Sequence, residues 1–210
     1  MIKIGICGKK RAGKNYVAEA VKRELESHGV TVELRAFADP VKYYAELVTE
    51  WGIRGMFEEL VKEGLDRPLI FQVLIRLLLL RINPWIMRTD ESGKRRRLLQ
   101  KVGTDVFRKH VDEDYWVNLT KMTECHADVL MYTDTRFPNE AQICDILWRV
   151  VGPLKVETVA DSHISEDTGA FLRSVPEVPQ DVIFNTKRGE EPNVSWVTTP
   201  LLHTLGRIGL

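Results

Sequence analysis

Apolar positions alternate at the start of the chain, where Ile2, Ile4 and Ile6 enclose Lys3 and Gly5, and then the period changes: Val17, Ala20, Val21 and Leu25 recur at helical spacing. This switch from a period of two to one of 3.6 predicts a strand running into an amphipathic helix. Gly29 stops that helix. A second alternating stretch over residues 31–37 predicts another strand, and Asp39 with Pro40 supplies a cap and an opening residue for the next helix. Helical spacing then runs from Val41 to Leu80, with breaks at Gly52, Gly55, Gly64 and Pro68, and Asn83-Pro84 ends it. We read this region as a helical insertion over about residues 43–90. The most apolar run, residues 69–82, is interrupted by Gln72, Arg76 and Arg81. It is also shorter than the roughly 20 residues of a membrane span, so a buried helix is expected.

Past a polar stretch holding Lys94, Arg95, Arg96 and Arg97, the residues Leu98, Leu99, Val102, Val106 and Phe107 form one helical stripe. Residues 128–134 read as a third strand, apolar enough to be central, with the acid Asp134 at its carboxyl end in the manner of a Walker B strand. Arg136 follows, and Pro138 opens a helix carrying Ala141, Ile143, Ile146 and Leu147. Residues 154–159 and 181–184 predict two further strands, separated by a polar candidate lid at about 160–179. Thr199-Pro200 starts a last helix with Leu201, Leu202, Leu205 and Ile208 on its apolar face. Strands alternating with helices predict an α/β fold with a parallel five-stranded sheet and helices on both faces. The length of 210 residues fits a single domain, 1–210.

The junction between the first strand and its helix carries the chemistry. Gly8, Gly13 and Lys14 fit G-x-x-x-x-G-K, a phosphate-binding loop, in which backbone N–H groups wrap a phosphate and the lysine reaches its outer oxygens. The helix that follows points the positive end of its dipole at the same anion. Asn15 stands where Ser or Thr usually holds magnesium, and an amide oxygen meets that ion better through a bound water than directly. In parallel α/β sheets ligands lie beyond the carboxyl ends of the strands. The loop, Ala38-Asp39 and Asp134-Thr135-Arg136 all fall at such ends.

Charge and cysteine content remove competing classes. Thirty basic and thirty acidic side chains cancel, which leaves no global field for nucleic acid or a membrane surface. Cys7, Cys125 and Cys144 lack C-x-x-C spacing, arguing against a disulfide framework or zinc site and for a reducing cytoplasm. No guanine-reading N-K-x-D, no transporter L-S-G-G-Q and no second helicase lobe is present, which leaves a small-molecule kinase.

Several separated motifs sharpen this. They are G-K-K-R-A-G-K-N at residues 8–15, F-A-D-P-V-K at 37–42, R-R-L-L-Q-K-V-G-T-D at 96–105, Y-W-V at 115–117, D-T-R-F-P-N-E at 134–140 and H-I-S-E at 163–166. In this order they resemble the phage deoxynucleoside monophosphate kinases, a branch of the P-loop kinases. The resemblance implies a P-loop NTPase fold, ATP and Mg2+ as cofactors, and phosphoryl transfer to a deoxynucleotide in the cytoplasm, of the host if the protein is phage-encoded. It implies Arg11, Gly13, Lys14, Asn15 and Tyr16 on the ATP side. It implies Lys10, Ala38, Asp39, Lys42, Arg96, Gly103, Thr104, Trp116, Asp134, Arg136 and Glu140 on the acceptor side, with Lys14, Asp134 and Arg136 catalytic. Trp116 stands equally for a stacking platform and for a core residue, His163 and Glu166 receive no role, and a homodimer is left open. The family usually has Asp after the loop lysine, so Asn15 departs from it. Two alternatives remain: a kinase for another phosphorylated acceptor, as in the animal-type phosphomevalonate kinases, and a nucleotide-sensing module without turnover. The G-T-D and Y-W-V segments argue against the first.

Overall fold

A computed structural model describes residues 1–9, 11–79, 99–151, 182–185 and 191–207. In chain order the elements are β1 (Ile2–Cys7), α1 (Lys14–Ser27), β2 (Val32–Arg35), α2 (Ala38–Lys62), α3 (Arg67–Leu79), a π-helical stretch (Lys101–Arg108), α4 (Tyr115–Met122), β3 (Val129–Tyr132), α5 (Pro138–Ala141), β4 (Ile146–Val151), β5 (Val182–Asn185) and α6 (Ser195–Thr204). They divide into two compact units, one made of Met1–Phe37 and Glu124–Leu210, the other of Ala38–Thr123.

The first unit is the parallel sheet, in the order β2-β3-β1-β4-β5. β1 lies at its centre, and alternation divides its side chains between two faces. On one face Ile4 and Ile6, with Val129, Met131, Trp148 and Val150, pack against Val17, Val21 and Leu25 of α1 and Val197, Leu201 and Leu202 of α6. On the other, Gly5 is crossed at close range: a Cβ there would lie 2.9 Å from Cys144 Sγ and 3.0 Å from Leu147 Cδ1 and Thr135 Oγ1. No larger residue fits without displacing that layer. α1 closes as predicted at Gly29 (φ 73°), where Val30 N–H donates to Leu25 O at 3.1 Å and Gly29 N–H to Glu26 O at 3.0 Å.

Two expected elements differ. The helix opened by Pro138 ends at Ala141, and Ile146 and Leu147, expected on it, begin β4. The spacing of Ile143, Ile146 and Leu147 suits a helix, but 146–151 is a β-branched and aromatic run that pairs with the open edge of β1. Its start is pinned by Asp145, whose N–H donates to Lys3 O at 2.8 Å and whose carboxylate accepts Lys3 N–H at 2.7 Å. The strand expected over 154–159 lies outside the described residues, as does the candidate lid at 160–179. The last helix starts at Ser195 rather than at Thr199, with Pro200 inside it. Burial of Val197, Thr198, Leu201 and Leu202 along one face outweighs the local cost of the proline, and Asn193 Oδ1 anchors the first turn by accepting Ser195 N–H at 3.1 Å.

The second unit is helical. α2 kinks at Gly52 (φ 63°, ψ −160°) and closes at Gly64 (φ 79°), with Leu65 N–H donating to Leu60 O at 3.2 Å. Asp66 Oδ1 then caps α3 by accepting Leu69 N–H at 2.9 Å. α3 is less buried than its composition predicts: Ile70, Val73, Leu74 and Leu77 enter the core, whereas Phe71 is 66% exposed and Ile75 40%. Among the described residues no helix is long and apolar enough to cross a membrane. The core closes on Tyr44, Met56, Leu60, Val102, Val106, Phe107 and Trp116. Inside it the Tyr44 and Tyr115 hydroxyls both donate to the Glu63 carboxylate, whose pKa burial pushes upward.

Candidate functional site

The loop between β1 and α1 is built from unusual backbone. Gly8 (φ 148°), Arg11 (φ 61°) and Gly13 (φ 94°) all have positive φ, and Ala12 N–H donates to Lys9 O at 3.1 Å. At Gly8 a Cβ would lie 2.3 Å from the carbonyl oxygen of Val150, so β4 itself forbids a side chain there. Gly13 occupies the cap position of α1 in the left-handed region, and no side chain caps the helix. The first N–H groups of an α-helix have no intrahelical acceptor, so this end presents donors. Lys14 crosses the loop, its Nζ donating to Gly8 O at 2.8 Å and Lys9 O at 3.0 Å. Arg11, Asn15 and Tyr16 are exposed beside it.

Asp134 and Arg136 follow β3, on one side of β1. The Asp134 carboxylate accepts Phe37 N–H at 2.6 Å, tying the exits of β3 and β2 together. Thr135 N–H donates to Ile6 O at 3.1 Å, fastening the same turn to β1. Glu140, expected to meet the acceptor, is 2% exposed, and its Oε2 accepts the main-chain N–H groups of Arg136 (2.7 Å) and Phe137 (3.1 Å). It is half of a capping box, with the Phe137 carbonyl oxygen accepting Glu140 N–H at 3.1 Å. Its carboxylate therefore builds the turn that carries Arg136 rather than reaching outward.

In the second unit Lys42 Nζ donates to Asp39 Oδ1 at 2.7 Å, so two of the expected acceptor residues meet in the first turn of α2, with Ala38 beside them. Trp116 is 1% exposed, and its Nε1–H donates to Gly103 O at 2.9 Å. Tyr44 and Tyr115 meet its ring edge-on, at 5.6 and 4.9 Å between centroids, and Phe107 tilts against it at 4.7 Å. The stacking reading is corrected: a buried indole with its N–H spent is core. Gly103 does allow close approach, but to Val41, whose methyls would lie 3.3 and 3.4 Å from a Cβ. Thr104 stands next to it, partly exposed. Lys10, Arg95, Arg96, His163 and Glu166 lie outside the described residues.

Sequence reasoning passed over Gly5 and Thr135, the pair that lets the β3 turn sit against β1. An alternating strand broken by a glycine was the available signal for the first. Among the described residues no cluster of three His, Cys, Asp or Glu side chains is placed to hold a metal ion. Asn15 is exposed in the first turn of α1.

No curated protein matches this chain. A family model, deoxynucleotide monophosphate kinase, matches residues 73–185, more than half of the 210 residues. The chain belongs to the deoxynucleotide monophosphate kinase family.

Proposed function

We propose that the protein transfers the γ-phosphoryl group of ATP to a deoxynucleoside 5′-monophosphate. The bond between the γ-phosphorus and the bridging oxygen breaks, a bond to an acceptor phosphate oxygen forms, and ADP and the deoxynucleoside diphosphate leave. The observation that carries this reading is Lys14, whose Nζ lies across a left-handed glycine loop at the open start of α1, in a chain of this family. The loop N–H groups and Lys14 bind the donor phosphates and meet charge that builds on the transferred group. Arg136 supplies a planar fork suited to the acceptor phosphate. Magnesium, when bound, neutralises phosphate charge, with Asn15 contributing an amide oxygen through water.

A coupled ADP-release assay over deoxynucleoside monophosphates, ribonucleotides and phosphomevalonate tests the reading. Release is expected with at least one deoxynucleotide, and Lys14→Ala should lower it on the order of 100- to 1,000-fold with the fold intact. No release with any deoxynucleotide overturns the proposal. Release with phosphomevalonate alone reassigns the acceptor, and binding of ATP without turnover makes the protein a sensor.

A further inference from the structure

Arg149 stands on β4, an interior strand between β1 and β5, as the register partner of Cys7, the residue immediately before Gly8. Paired residues on neighbouring strands share a face. Arg149 therefore lies on the face of Gly5, Cys7 and Leu147, at the base of the phosphate-binding loop. It is partly buried. Arg23, Arg35 and Arg207 of the same unit each pair with a carboxylate, on Glu191, Glu33 and Asp128. Arg149 has no such partner among the described residues. A guanidinium taken partly out of water without a counter-charge is costly, and a fold retains one where a ligand supplies the anion. Lys14 and Arg149 both act electrostatically on the Cys7 thiol, so two cations converge on this position from α1 and β4.

We propose that Arg149 is a donor-phosphate ligand, reaching the ATP phosphates from the β4 side of the loop; this deepens and rests on the phosphoryl-transfer reading. The sheet order assigns donor rather than acceptor. Asp134 and Arg136 follow β3, on the β2–β3 side of β1, and Arg149 is on the opposite side. The two arginines thus flank β1 and divide the two nucleotides between them.

The test is calorimetric titration of ATP, ADP and adenosine into the wild type, Arg149→Gln, Arg149→Lys and Lys14→Ala, with a melting curve of each protein without nucleotide. Arg149→Gln should weaken ATP and ADP about ten- to hundredfold, the range for a charged hydrogen bond. Adenosine affinity should stay unchanged, Arg149→Lys should fall between, and the melting temperature should hold or rise as an unpaired charge is removed. Unchanged ATP affinity in Arg149→Gln, or equal losses for ATP and adenosine, overturns the proposal. ATP binding that depends on Lys14 but not on Arg149 overturns this inference alone. A wild type that does not bind ATP overturns the phosphoryl-transfer reading and this inference with it.

Discussion

The carboxylate of Asp134 accepts the main-chain N–H of Phe37 at 2.6 Å, so the acid at the end of β3 holds the end of β2 in place. The charge expected to serve the reaction and the acceptor that serves the fold are the same group, and they can be separated. Asp134→Asn keeps an oxygen for the Phe37 N–H and loses the charge. Its melting temperature should stay close to wild type while turnover falls at least about tenfold, the scale of one lost electrostatic contribution. Asp134→Ala should lose both turnover and about 1 kcal/mol of stability. An asparagine variant with wild-type turnover would take the charge out of the mechanism.

Arg136 and Glu140 divide in a similar way. Glu140 holds the main chain at Arg136, not only a side chain, so Arg136→Lys preserves that contact. The expected result is a raised Michaelis constant for the deoxynucleotide, an unchanged one for ATP and an unaltered melting curve, because lysine cannot form the bidentate fork. Glu140→Ala strands two part-buried N–H groups and should cost about 2 kcal/mol in urea titrations. If Arg136→Lys melts early and keeps normal kinetics, Arg136 belongs to the scaffold.

For Trp116 the expected phenotype is structural. Trp116→Phe removes the donor to Gly103 O and leaves a gap among Tyr44, Phe107 and Tyr115, for a loss of about 2 kcal/mol. The folded fraction should keep its Michaelis constant for the acceptor. A raised constant with no change in melting would restore the stacking role.

Alkaline pH should weaken the first unit. Burial pushes the Cys7 thiol up to about 11 and the Cys144 thiol and Tyr132 hydroxyl up to about 12. These groups keep their protons in the fold at a pH where the unfolded chain has released them. Their contribution is whole below the unfolded values and is lost as pH rises through the folded ones. Melting temperature should therefore decline between about pH 9 and 12, and Cys144→Ala should flatten the decline. A curve level across that window would contradict this burial.

How far the sequence could be read depended on whether a signal was local. The loop, the stops at Gly29 and Gly64 and the kink at Gly52 were legible because glycine with positive φ acts within a few residues. β4 was not, because Ile143, Ile146 and Leu147 satisfy a helical period, and only the free edge of β1, far off in sequence, selects a strand. Of the site, the roles of Glu140 and Trp116 were hidden. A buried carboxylate serving main-chain N–H groups and an exposed one waiting for a substrate are spelled identically.

The first unit is discontinuous, closing only when residues after Glu124 join Met1–Phe37, whereas Ala38–Thr123 is one uninterrupted stretch. On a ribosome, the inner unit is therefore complete while β1 still lacks both neighbours, since β3 begins at Val129 and β4 at Ile146. An apolar strand with two bare edges must wait through the synthesis of more than a hundred residues, at roughly 5–20 residues per second. The helical unit that emerges in the meantime is built from local contacts, which form quickly, and the parallel pairings that complete the sheet come last and are the slow, aggregation-exposed step.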